Sequence, residues 1–292
     1  MGPPYALALG PLFEAAEEAA EMTAAQGFVA AAFLFAVGAS MIPLFRRTSA
    51  WLLEGTPRRA AAFQPLDLAL VAVVFILGQA VVAESYRFWI GADELDLESL
   101  GVIPALGLSA GSQALTVGLV LGLALRRPGG AATVGLRNLT PGKRGVFAVA
   151  WYLLSIPTLM GLGALTAAIF MARGGEPPVQ DTAVLVAEGL SEHPMLIFTL
   201  VALVIPLFEE IIFRGFLLEL LVSRLGVPAG IFLSSALFAI LHGEAVFLPI
   251  FGLAVVLAGV KLRTRSLAAS WGIHGIHNGL TTLLITGGAL PG

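Results

Sequence analysis

No cysteine occurs in the 292 residues, which excludes disulfides, thiolate metal sites and cysteine nucleophiles. Charge is scarce too. Only 12% of the residues are charged, about half the share usual in soluble domains. The net charge of −3 carries no polyanion-binding signature, so nucleic acid is not an expected partner. The first residues, MGPPYALALGPLFEAAEEAAEM, are acidic and lack a basic n-region, so they do not read as a cleavable signal peptide. We treat residues 1–26 as an acidic N-terminal segment. No internal repeat and no long linker divides the chain.

What the sequence has in abundance is apolar runs, with 58% hydrophobic residues. Runs long enough to cross a bilayer can be marked at Gly27–Phe45, Leu66–Ala83, Gly101–Leu125, Val146–Met171, Met195–Val222, Pro228–Leu241, Phe247–Val260 and Leu267–Thr286. The expected fold is an all-α, polytopic transmembrane helix bundle of about eight spans. Residues 27–172 would supply the N-terminal transmembrane helices and 195–286 the functional core. Pro228–Leu241 and Phe247–Val260 are short, and fit either two tilted helices or a re-entrant segment. The outer connections, ADELDLES and RGGEPPVQDTAVLVAEGLSEH, read as acidic or mixed loops.

Orientation follows from the basic residues. Arg46, Arg47, Arg58, Arg59, Arg126, Arg127, Arg137, Lys143, Arg144, Arg224, Lys261, Arg263 and Arg265 all fall on alternate connections. The positive-inside pattern therefore puts those connections in the cytoplasm and both termini outside. The Ala- and Gly-rich composition reads as prokaryotic, so the expected location is a prokaryotic plasma (inner) membrane. Gly107/Gly111, Gly118/Gly122 and Gly275/Gly279 are spaced for close helix packing.

Against this background the stretch LFEEIIFRGF (Leu207–Phe216) stands out, because each charge in a bilayer interior costs roughly 2.5–3.5 kcal/mol on insertion scales. Residues four apart share a helix face, so Arg214 pairs with Glu210, while Glu209, opposite Phe213, gains no such partner. The spacing thus separates a structural ion pair from a carboxylate that points elsewhere. Pro206 removes a helix hydrogen bond just before the acids.

Three of the four histidines fall in the last third. His242 ends the sixth span, and SWGIHGIHNGL carries His274, His277 and Asn278 in the eighth. His274 and Asn278 share a face, with His277 at its edge as a rival. His193, before Pro194, reads as a solvated loop residue. At about 1.5 Å per residue, Glu209, His274 and Asn278 lie in the middle or inner half of the membrane, with His242 somewhat further out.

A glutamate and a histidine can hold a water and take its proton as it attacks a carbonyl. A second histidine and an asparagine can donate to the oxyanion that forms. A carboxylate with two imidazoles can also bind zinc with a water in the open position, although no HExxH motif is present. Other readings of buried charge are a packing network, a membrane scaffold binding a partner protein, and a proton-coupled transporter.

Glu209-Glu210-x-x-x-Arg214, Phe238-x-x-x-His242 and His274-x-x-x-Asn278, in this order on successive apolar spans, resemble the three motifs of the CAAX protease and bacteriocin-processing (CPBP, or Abi) family of intramembrane proteases. That family has been described both as metalloproteases and as glutamate proteases. The resemblance covers roughly Met195 to Thr286. It implies an intramembrane endopeptidase in which Glu209 and His242 activate water, and His274 and Asn278 stabilise the oxyanion. Glu210 and Arg214 would be the supporting pair, with Phe238 packed beside His242. No cofactor is expected, since Glu209 and His242 suffice to activate water; in the metal-dependent version Glu209, His242 and His274 would be the zinc ligands. The expected partners are the lipid bilayer and a peptide or membrane-protein substrate, with prenylated C-termini, leader peptides and membrane-protein fragments all compatible.

Overall fold

The computed structural model describes residues 23–40, 63–92, 100–136, 142–175 and 181–286. The acidic residues 1–22, the end of the first apolar run at Phe45, most of ADELDLES, and the basic residues Arg46, Arg47, Arg58, Arg59 and Arg137 lie outside them.

All regular structure among the described residues is helical. The helices are α1 (Ala24–Ser40), α2 (Pro65–Ile90), α3 (Val102–Leu125), α4 (Gly142–Ala172), α5 (Asp181–Glu192), α6 (Pro194–Leu225), α7 (Val227–Ile240), α8 (Phe247–Thr264) and α9 (Leu267–Thr286). The protein is a multi-pass membrane protein: α2, α3, α4, α6 and α8 are long and apolar enough to cross a bilayer. Helices α1 and α7 are apolar but shorter. His274, His277 and Asn278 dilute the hydropathy of α9, whose length is otherwise sufficient.

Two features differ from the sequence reading, and a third settles a choice it left open. Helix α2 runs seven residues past Ala83, carried by an ion pair one turn apart, Arg87 Nε to Glu84 Oε2 at 2.7 Å, and stopped by Gly91 at φ 70°. The connection read as an acidic loop contains α5, whose Val186 packs with Leu190 against Leu106 and Ile197. Its apolar positions are few and its acids flank them, so the stretch lacks a membrane-length signal. The short runs Pro228–Leu241 and Phe247–Val260 form two helices, α7 and α8, packed side by side and joined by a turn.

Ties between helix ends fix the bundle. Arg127 Nη2 donates to both oxygens of buried Asp67 at 2.8 Å, joining the end of α3 to the start of α2. Arg224 Nη2 donates to Gln64 Oε1 at 2.7 Å. Buried Lys261 pairs with Glu219, and Leu267 N–H donates to Gly135 O at 3.1 Å. The described basic connections after α3, α6 and α8 therefore gather at one end of the bundle. The largest core cluster sits around α6, where Ile211, Phe213, Phe216 and Leu220 meet Val117, Val120, Phe63 and Phe238.

Glycine spacing proves a poor guide to helix contacts, with one exception. A Cβ at Gly107, Gly118 or Gly122 would meet nothing within 4 Å. At Gly275 it would come 2.5 Å from Ala202 O, and at Gly279 3.2 Å from the Phe198 ring. Helix α9 thus lies against the backbone of α6. Gly275→Ala is expected to force the two helices apart, at a cost of about 1–3 kcal/mol for overpacking. It should lower the thermal unfolding midpoint in detergent, whereas Gly118→Ala should leave it unchanged.

Candidate active site

Helix α6 is not uniformly α-helical. Leu200–Val204 and Glu210–Leu217 widen into π-helical turns, a distortion frequent at functional sites. In a π turn the donor to Val201 O would be residue 206, and Pro206 has no N–H. Helix α9 supplies the missing partner, Asn278 Nδ2 donating to Val201 O at 3.1 Å, and Trp271 Nε1 donates to Leu203 O at 2.9 Å. Proline, widened turn and glycine contact belong to one device, which seats α9 on the π-widened part of α6.

Just inward of that seat, Glu210 and Arg214 are fully buried. Arg214 Nη1 lies 3.1 Å from Glu210 Oε1, close enough for ion pairing but off hydrogen-bond alignment. The guanidinium carbon also sits 4.3 Å over the Phe238 ring, which partly compensates its burial. Glu210 Oε1 accepts from His274 Nδ1 at 3.2 Å, fixing the imidazole of His274.

Glu209 turns away from this pair. Its Oε1 is 3.9 Å from His242 Nε2, and its Oε2 is 3.6 Å from His274 Nε2. His242 Nδ1 lies 2.7 Å from Phe238 O. A carbonyl oxygen only accepts, so Nδ1 carries the proton and Nε2, in the neutral ring, presents a lone pair toward Glu209. Phe238 holds the cluster from beneath, its ring centroid 4.4 Å from His242, 5.9 Å from His274 and 4.9 Å from Phe213.

The structure therefore brings Glu209, Glu210, Arg214, Phe238, His242 and His274 into one cluster from α6, α7 and α9. Asn278 stands a turn outward of His274, with one amide hydrogen committed to Val201 O. His277 does not join the cluster; its Nδ1 is 3.0 Å from the Tyr152 hydroxyl on α4. His193 is exposed at the start of α6. Trp271 and Tyr152 escaped the sequence reading. The spacing Trp271–Gly275–Asn278, one α9 face laid on α6, is the signal that would have found the first.

Glu209, His242 and His274 are the candidate zinc ligands. Each carboxylate oxygen faces a different imidazole, and no group of three His, Asp or Glu side chains among the described residues is arranged to hold a metal ion.

Residues 191–280 match the family described as Type II CAAX prenyl endopeptidase Rce1-like. This stretch is similar to an Rce1-like domain. It spans α6, α7 and α8 whole and most of α9, and includes every residue of the cluster. The match covers under a third of the protein, and α1–α4 lie outside it. No curated protein and no solved structure matches the sequence.

Proposed function

We propose that the Rce1-like domain is an intramembrane endopeptidase in which Glu209 and His242 activate the attacking water. The observation that supports this most is the locked ring of His242, which turns Nε2 toward the Glu209 carboxylate. Both groups accept hydrogen bonds, so a water between them donates one hydrogen to each and turns its oxygen lone pair outward, toward a peptide carbonyl. As that oxygen attacks the carbonyl carbon, Glu209 takes the proton. It returns the proton to the amide nitrogen as the C–N bond breaks.

The oxyanion is assigned to His274 and Asn278. His274 donates to Glu210 through Nδ1 and, with a proton on each nitrogen, offers Nε2–H to the developing charge. Asn278 keeps its second amide hydrogen for the same purpose. Glu210 and Arg214 act by holding His274. No step is routed through a metal. The substrate is a peptide or membrane-protein segment; the match to CAAX prenyl endopeptidases makes the C-terminal end of a polypeptide a natural candidate.

The test uses purified protein and a panel of fluorogenic peptides with and without a chelator. Cleavage is expected to survive chelation unchanged; a loss that added zinc restores would overturn the metal-free mechanism. Asn278→Ala should lower kcat by about 10²–10³-fold, as for other oxyanion donors. Trp271→Phe breaks only the neighbouring tie to α6 and serves as the control. If both variants lose activity equally, Asn278 is a packing residue and the oxyanion role falls.

A further inference from the structure

The cations at the basic end of the bundle are not all met in the same way. Arg127 pairs with Asp67 and Lys261 with Glu219, and Arg224 donates to Gln64. Arg126 is exposed. Arg263, in the last turn of α8, stands apart from these. It is part-buried and its Nη1 is shut off without a hydrogen-bond partner. No acidic side chain among the described residues offsets that burial. A partly desolvated cation without an anion is costly, so something outside the described residues must meet the charge.

Helix α4 builds the place where Arg263 sits. The guanidinium carbon lies 5.1 Å from the centre of the Trp151 ring. One turn back along α8, Gly259 makes room for the same indole: a Cβ there would lie 3.6 Å from Trp151 Cζ2. Phe147 backs the indole on α4, with ring centroids 5.5 Å apart. The ring face attracts the cation, and the stack holds the guanidinium in one plane. A ring face compensates only one side of the ion, however. The N–H groups lie in the plane of the fork, and that edge is the part of arginine that matches a phosphate.

The surroundings suit a lipid headgroup. Arg263 is one residue from the end of α8, which puts it at the membrane boundary, the level at which tryptophan is also enriched. Lys143 and Arg144 open α4, about two turns before Trp151, so further positive charge belongs to the water side. On the hydrocarbon side Val149, Leu153 and Met160 of α4 are exposed. Their spacing puts them on one stripe of the helix, a track for acyl chains.

We propose that Arg263 and Trp151 form a binding site for the phosphate of an anionic phospholipid, between α4 and α8 at the basic end of the bundle. The free edge of the guanidinium donates to the phosphodiester oxygens, while Trp151 fixes the plane from which it does so. A zwitterionic headgroup binds less well, because its ammonium enters a region that is already positive. The bound lipid ties α4, outside the Rce1-like stretch, to α8 within it. The site is independent of the protease reading and of any cleavage.

The test uses the full-length protein, purified in detergent and offered an equimolar mixture of phosphatidylglycerol and phosphatidylcholine with the same acyl chains. Native mass spectrometry should find about fivefold more phosphatidylglycerol retained, the preference expected of one cationic contact near the surface. Arg263→Gln should bring the two lipids level, while Arg126→Gln, at an exposed cation of the same end, should leave the preference unchanged. Arg263→Lys keeps the charge and loses the planar fork, so it should lose most of the preference; it decides the matter if Arg263→Gln does not fold. A wild type that retains both lipids equally, or an Arg263→Lys protein with the full preference, overturns the site. Inorganic phosphate is the third probe. Phosphatidylglycerol is expected to stay bound in its presence; displacement at millimolar phosphate would show a site for a free anion and overturn the lipid as its occupant.

Discussion

Glu209→Gln is expected to lower kcat for peptide cleavage by about 10²–10⁴-fold, the range associated with a positioned general base. The substitution preserves shape and hydrogen-bonding capacity on one oxygen, but the amide takes no proton from water. Among the described residues Glu209 makes no hydrogen bond that holds the fold, and the two imidazole nitrogens lie 3.6 and 3.9 Å from its oxygens. The thermal midpoint in detergent should therefore stay within a degree or two of wild type, a change of well under 1 kcal/mol. A stable Glu209→Gln protein that cleaves at the wild-type rate would end the role assigned to Glu209. An unstable one would move Glu209 into the supporting network.

Glu210→Gln should behave in the opposite way. Glu210 and Arg214 are both buried and 3.1 Å apart, and removing one charge leaves the other unpaired in a low-dielectric interior. Losses of about 3–5 kcal/mol are typical of such a break, and little compensation is at hand, because Arg214 Nη2 has no hydrogen-bond partner among the described residues. The variant should unfold at a clearly lower temperature. Removing both charges, as in Glu210→Gln/Arg214→Met, should recover much of that loss, since no lone ion remains and a methionine can still pack on Phe238. Activity should not recover, because His274 Nδ1 loses its carboxylate acceptor. A double variant as unstable as the single one would show that the pair contributes by shape rather than by charge. One that is stable and fully active would show that His274 needs no anchor.

The contrast between these two neighbouring glutamates is legible in residue spacing alone. A four-residue interval pairs Glu210 with Arg214 and leaves Glu209 without a partner on its own helix, because that relation depends only on local helix geometry. The contact of Phe238 with His242 follows from the same periodicity. What spacing could not supply was the widening of α6 into π turns, which depends on whether another helix satisfies the freed carbonyls. Asn278 therefore read as a donor for chemistry, whereas part of its capacity goes to Val201 O. His277 and His274 were rivals on one helix because three-residue spacing leaves the face ambiguous. Packing separates them: α4 brings Tyr152 to His277, while α6 brings Glu209 and Glu210 to His274. Glycine pairs likewise carried no information until a neighbour was present, and only Gly275 and Gly279 have one on both members.

By itself the sequence determined that this is an all-helical membrane protein, because a bilayer leaves its long apolar runs no other way to satisfy their backbone groups. It also singled out the side chains of the candidate site, since charge and imidazole are costly in hydrocarbon. The tertiary structure decided how those side chains face one another, which nitrogen of His242 is free, and which members of the cluster are buried. These depend on contacts between α6, α7 and α9 across tens of residues, and on a helix too short to span the membrane. No local pattern encodes where such helices meet.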